Sequence, residues 1–149
     1  MGSVRFYHDF PSCSRTYVTL CIYHETLEPT FITQTLGVTP DRSQQIGDPL
    51  RPGKIVSVNG WFWGTQSRSA SKDMRAHLSV VFKKFDEKKN KLTKLRKMGC
   101  EIRIMCFWES ATGNGGPILD HETLILLSKY PLDLDYDIWF PSAVQPARE

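Results

Sequence analysis

Three aspartates at alternate positions, Asp133, Asp135 and Asp137, put three carboxylates on one face of any extended strand that holds them. That is ligand chemistry for a hard cation. Calcium loops, however, add backbone carbonyls from an adjoining glycine-bearing turn, and Leu132 to Phe140 contains no glycine. The favoured reading is a solvated strand face, or a guard against pairing by a foreign edge. No metal site is expected there, and the three carboxylates rank instead among the candidate partner contacts.

A second concentration of chemistry is basic. Residues 83 to 98 carry Lys83, Lys84, Lys88, Lys89, Lys91, Lys94, Arg96 and Lys97 against Asp86 and Glu87, a local charge of +6 in a chain of net charge +3. The remaining residues therefore sum to −3, and the charge is segregated. Lys83, Lys84, Lys88, Lys91 and Lys94 define a basic surface that could grip phosphates. Aromatics interleaved for base stacking are missing, since those nearby belong to the apolar stripe. A solvated helix face is the plainer reading, and a nucleic-acid-associated accessory protein is the alternative function.

The third set lies between Leu36 and Trp63, where Gly, Pro, Asp, Arg and Trp occur together. Trp61 and Trp63 share one side of a strand while Phe62 takes the other. Two indoles on one side either roof the core or offer an aromatic contact patch. Arg42 and Asp48 either pair to fix the loop or face a partner. Arg42, Asp48, Trp61 and Trp63 join the three aspartates as candidate partner-binding residues.

Catalysis finds no support. His8, His24, His77 and His121 stand in no motif, and no G-x-S-x-G occurs. Cys13, Cys21, Cys100 and Cys106 are too widely spaced for a C-x-x-C zinc knuckle. Three of them fall inside apolar strand patterns, where a free thiol packs as a small hydrophobe. No catalytic residue, metal or cofactor is expected.

These groups need a scaffold to position them. Thr16 to His24 alternates with both faces fairly apolar, as in a central strand. Thr26 to Leu36 reads as a helix capped by Thr26, with Pro29 in its first turn and Gly37 as its end. Lys54 to Val58, Asn59-Gly60 and Trp61 to Gln66 read as a type I′ hairpin. Ser69 to Met98 is a long amphipathic helix interrupted near Lys88 and Lys89 and stopped by Gly99. Cys100 to Trp108 is a strand, and Asp120 caps a short helix to Tyr130 with Leu124 and Leu127 inward. Leu132 to Phe140 is the last strand, and residues 141–149 read as a loose tail.

The order is strand, helix, hairpin, long helix, strand, short helix, strand. It predicts a two-layer α+β sandwich, an antiparallel or mixed sheet with helices on one face and ferredoxin-like, split βαβ character in its front portion. One domain over 1–149, with its ordered core at about 16–140, suits 149 residues. Hydrophobic content of 40% and charged content of 23% are ordinary for a globular chain. No apolar run reaches spanning length, and Met1 to Phe6 has no apolar core of a secretory signal. A cytoplasmic protein with reduced thiols and no membrane partner is expected.

Read together, Tyr23-His24-Glu25, Leu27-Glu28-Pro29, Leu36-Gly37-Val38-Thr39-Pro40, Arg42-Ser43, Gly47-Asp48-Pro49, Gly60-Trp61 and Leu132-Asp133-Leu134-Asp135-Tyr136-Asp137-Ile138 resemble the bacterial family known as domain of unknown function 4279. The resemblance covers about residues 16 to 140 and implies a small cytoplasmic α+β protein without assigned catalytic residues. Its members are similar in size and style to the immunity proteins that neutralise polymorphic toxins. The expected function is therefore a non-enzymatic binding protein, an immunity protein that neutralises a cognate protein toxin by direct complex formation. This chain departs from the family pattern in its lysine-rich helix and in Trp63.

Overall fold

The computed structural model describes residues 5–141; residues 1–4 and 142–149, which hold most of the expected tail, lie outside the described residues. The longest strand, β1 (Cys13–His24), has Val18, Leu20 and Ile22 on one side and Tyr17, Cys21 and Tyr23 on the other. Apolar side chains on both sides suit a central position, and β1 takes it. It pairs antiparallel with β5 (Asn59–Gly64) along one edge and with β6 (Glu101–Ser110) along the other. Outside β5 runs the short β2 (Arg42–Gln44), antiparallel, and outside β6 runs β7 (Asp133–Trp139), parallel. The five-stranded mixed sheet thus has the order β2-β5-β1-β6-β7.

Because β5 and β6 both oppose β1, they run parallel to each other with β1 between them. Their connection is helical: α2 (Met74–Phe85), a 3-10 turn (Asp86–Lys88) and α3 (Lys89–Lys97). This is the split βαβ unit, and it lies in the middle of the chain rather than its front. The following α4 (His121–Ser128) links the adjacent parallel strands β6 and β7.

All helices cover one face. Ile32 and Leu36 of α1 (Pro29–Leu36), Leu78, Val81 and Phe85 of α2, and Leu92 and Leu95 of α3 pack on Val18, Leu20, Ile22, Ile102, Ile104 and Cys106. Trp61 and Trp63 meet the Phe85 ring edge-on, with centroids 6.3 and 5.3 Å away. The Trp61 indole donates to Thr33 Oγ1 at 3.0 Å, so its one polar atom is satisfied. The fold is the two-layer α+β sandwich that the pattern predicts.

Local expectations change in four places. The first helix starts at Pro29, because a residue before proline is held extended, as Glu28 is at φ −74°, ψ 149°. The Thr26 and Leu27 amides donate instead to His24 Nδ1, at 2.9 and 2.8 Å. Gly37 ends the helix at φ 67°, a left-handed conformation that suits glycine.

Asn59-Gly60 is not a hairpin turn. Both residues open β5 and are buried, opposite His24 and Tyr23. The hairpin lies upstream, where β3 (Pro49–Arg51) and β4 (Lys54–Ile55) form a separate ribbon around Pro52-Gly53. Side-chain bonding decided it: Asn59 Oδ1 accepts from Ile46 N–H and its Nδ2 donates to the Leu27 carbonyl, which fixes Asn59 inside the sheet.

The long helix begins at Met74, capped by Asp73 rather than from Ser69, and its interruption is the 3-10 turn at Asp86–Lys88. In α4, Leu127 packs against the core as expected, but Leu124 is 50% exposed.

Candidate functional site

The sheet's second face carries no helix among the described residues, and its side chains follow from the register. One row across the five strands reads Arg42, Phe62, Cys21, Arg103, Asp133. A second row reads Tyr17, Phe107, Asp137. The first row begins at the Arg42 cation on β2, and both rows end in a carboxylate on β7.

Arginines lie on the rings of this face. Arg42 sits 4.1 Å above Phe62, Arg15 sits 4.9 Å above Phe107 and 5.8 Å from Tyr17, and Arg103 stands 5.7 Å from Tyr23. Tyr17 and Phe107 stack at 4.8 Å, and Tyr23 meets Phe62 edge-on at 5.5 Å. A guanidinium on an aromatic face gains quadrupole attraction while its edge donors stay available. Arg15 and Arg42 make no ion pair among the described residues, whereas Arg103 donates to Asp135 at 2.6 Å and also pairs with Glu101.

A groove of about 490 Å³ runs along the Arg42 side of the face between Tyr17, Phe62, Gln66 and Ser67. A smaller one of about 280 Å³ shares Tyr17 and Gln66 with it and reaches Arg15 and Lys72. The groove wall is held by Asp41. Its carboxylate takes both Arg68 guanidinium nitrogens, at 2.6 and 2.8 Å, and the Gly64 amide at 2.8 Å. The Arg68 hydrogen bonds hold the Asp41 carboxyl below the usual carboxylate range, against a smaller opposing effect of burial. Arg68 also lies 4.1 Å over the Trp63 ring.

Of the residues singled out from the sequence, Arg42, Asp133, Asp135 and Asp137 share this open face. The indoles of Trp61 and Trp63 do not: they are 0% and 3% exposed, in the core, where they offer nothing to a partner. Asp48 lies in the connection between β2 and β3, accepting the Gln45 amide at 2.8 Å. It forms no pair with Arg42, which Phe62 holds instead. Lys83, Lys84, Lys91 and Lys94 are exposed on the helix layer, with Lys88 half-buried.

Sequence reasoning missed Arg15, Arg103, Asp41 and Arg68. The first two had a signal, since Arg15 shares strand parity with Tyr17, and Arg103 with Phe107, which puts both arginines on the side of the sheet that carries aromatic rings.

Other reactive groups are held in packing roles. His77 is fully buried between Thr65 Oγ1 at 2.6 Å and the Ser71 carbonyl at 2.8 Å. Burial lowers its pKa, opposed by the Ser71 carbonyl and the Asp73 charge. His8 Nδ1 meets Ser71 Oγ at 2.9 Å, while that hydroxyl accepts the Asp73 amide that leads into α2. All four thiols are free and buried. Burial, with the Asp135 charge beside it, pushes Cys106 up to about 12. Among the described residues, no three His, Cys, Asp or Glu side chains converge to hold a metal, and no helix is long and apolar enough to cross a membrane.

The molecule is thus an α+β sandwich whose mixed sheet is covered on one side and presents arginines on aromatic rings on the other. The chain belongs to the family described as Domain of unknown function (DUF4279), whose model matches residues 14–141. No curated protein and no solved structure matches the chain.

Proposed function

We propose that this chain is a non-enzymatic binding protein of the immunity type, which neutralises a cognate protein toxin in the cytoplasm by direct complex formation through the open face of its sheet. The observation that carries the reading is the pair of arginines, Arg15 and Arg42, lying on Phe107 and Phe62 without an acidic partner among the described residues. Arginine is among the residue types that carry most binding energy at protein interfaces, and here the buried Phe62 and Phe107 rings serve as platforms beneath the exposed guanidiniums. Arg15 and Arg42, unpaired among the described residues, together with the carboxylates of β7 also give the face a charge pattern that can steer association with a complementary partner. That a toxin is the partner rests on the likeness in size and style to immunity proteins, an analogy of scaffold rather than of site.

The experiment is protection. The gene's neighbours are searched for a secreted toxin, any such toxin is expressed in cells with and without the chain, and a 1:1 complex is sought in vitro. Rescue by the wild-type chain, lost in Arg15→Glu/Arg42→Glu while the fold persists, supports the proposal. Rescue that survives the charge reversal removes the open face from it, and no rescue removes the toxin.

The second reading, a nucleic-acid-associated protein, has the exposed lysines of α2 and α3 behind it. Those lysines lie on the helix layer, away from the open-face rings, and Tyr130 nearby is buried. Affinity for single strands that falls steeply with salt would favour this reading, and no binding at low salt would end it.

A further inference from the structure

We propose that the outer edge of β7 docks an extended strand of a partner protein whose side chains alternate between basic and apolar. The two ends of the sheet differ. β2 is only three residues long, a short edge that offers little to a foreign strand. β7 runs for seven residues and pairs only with β6 among the described residues, so its other side presents backbone N–H and C=O groups with no strand against them. A long edge of that kind is a template for strand addition unless its side chains select what is admitted.

Those side chains select. On the open face β7 carries Asp133, Asp135 and Asp137; on the other it carries Leu134, Tyr136 and Ile138, of which Tyr136 is 44% and Ile138 36% exposed. A second copy is a poor occupant. Antiparallel pairing of two β7 strands centred on Asp135 sets carboxylate against carboxylate at all three positions, a destabilising cross-strand arrangement. Arg103 already neutralises Asp135 at 2.6 Å, leaving Asp133 and Asp137, four residues apart, as the carboxylates without a cation. The complementary strand therefore has Lys or Arg at two positions four apart and apolar residues at the alternate positions between, facing the Tyr136 and Ile138 side. The row that rejects self-association admits a basic strand, so one feature serves both purposes.

Trp139 supplies a built-in probe. It ends β7 at 57% exposure, its indole donating to Asp137 at 3.0 Å, while Trp61, Trp63 and Trp108 are buried. The test adds acetyl-Lys-Val-Thr-Val-Lys-Val-Thr-amide to the full chain and reads Trp139 fluorescence together with amide hydrogen exchange over residues 133–139. A fluorescence change with new protection confined to β7 is the expected result. A peptide with glutamate in place of lysine, and one of the same composition with its two lysines adjacent, should bind at least about tenfold more weakly, as charge reversal and lost register require. Asp133→Lys/Asp137→Lys should invert the preference towards the glutamate peptide without loss of thermal stability. Arg15→Glu/Arg42→Glu should bind the lysine peptide as wild type does, which separates this edge from the open-face reading. Equal binding of all three peptides overturns the proposal. So does protection that falls on the open face, β7 amides already as protected as those of β6 in the free chain, or a dimer that forms through β7.

Discussion

Arg75 Nη1 stands 2.6 Å from Asp120 Oδ2, so a side chain from the first turn of α2 reaches the residue that caps α4. The same guanidinium takes Asp73, the α2 cap, at 2.7 Å, and donates to the Arg5 carbonyl at 3.1 Å. Asp73 in turn accepts the Tyr7 and Arg75 amides. One buried cation thus ties two helix starts and the chain before β1 together.

Removing that cation leaves two carboxylates facing each other, one of them buried. Arg75→Ala should cost about 3–5 kcal/mol, the range for breaking a buried pair from one side. Asp120→Asn keeps a capping oxygen and should cost about 1–2 kcal/mol. Denaturant melts of the two variants check both figures, and equal losses would show that Arg75 acts only through its pair with Asp120 and that the buried Asp73 carboxylate does not need it.

The two indoles of β5 are structural, and their burial is measurable. Trp61→Ala should lose about 3–5 kcal/mol, as large-to-small core changes do. Acrylamide should quench Trp139 readily and leave the signal from Trp61, Trp63 and Trp108 largely intact. Uniform quenching of all four would contradict the core described above.

How much of this was legible in the sequence depends on where the information sits. Alternation in β1, β6 and β7 announced the sheet, because a period of two is local. The glycine after α1 announced its end for the same reason. Asn59-Gly60 misled, since its turn preference yields to side-chain bonds with Ile46 and Leu27 that only the folded chain brings near. The open face could be read only in part. Strand parity puts Arg15 with Tyr17, but that Arg42 stacks on Phe62 depends on β2 pairing with β5. Nor does local pattern separate a buried indole from an exposed one. Trp61 and Trp63 look like contact residues until Phe85, from a distant helix, packs against both.

Acid should weaken the fold in a window set by His77. Burial lowers its folded pKa below the ordinary value of 6.5, which the unfolded chain keeps. The unfolded state therefore takes up a proton first. Stability is full above about pH 6.5 and falls as pH drops from there towards the lower folded value. His77→Gln removes that proton uptake and should flatten the dependence of unfolding free energy on pH just below 6.5. An unchanged slope would place the acid response elsewhere.

The thiols make a gauge of unfolding. Cys13, Cys21, Cys100 and Cys106 are all buried, and burial raises each of them, which keeps the reactive thiolate scarce. A thiol-specific reagent at neutral pH should modify the native chain slowly and all four groups at once under denaturant. Rapid labelling of one thiol in the native state would reveal a local opening.

β1 forms the centre of the sheet, yet both its neighbours arrive late: Ile22 waits for Trp61 on one side and for Ile102 on the other. On the ribosome, then, β1 is made well before either strand that seals its edges. Until residue 110 has emerged, one β1 edge and the apolar row of Val18, Leu20 and Ile22 lack their β6 partners. Such an exposed strand edge invites misassociation during synthesis. Expression at high rates should therefore depend on chaperones more than the stability of the finished protein implies, and truncation before β6 should yield aggregates rather than a smaller fold.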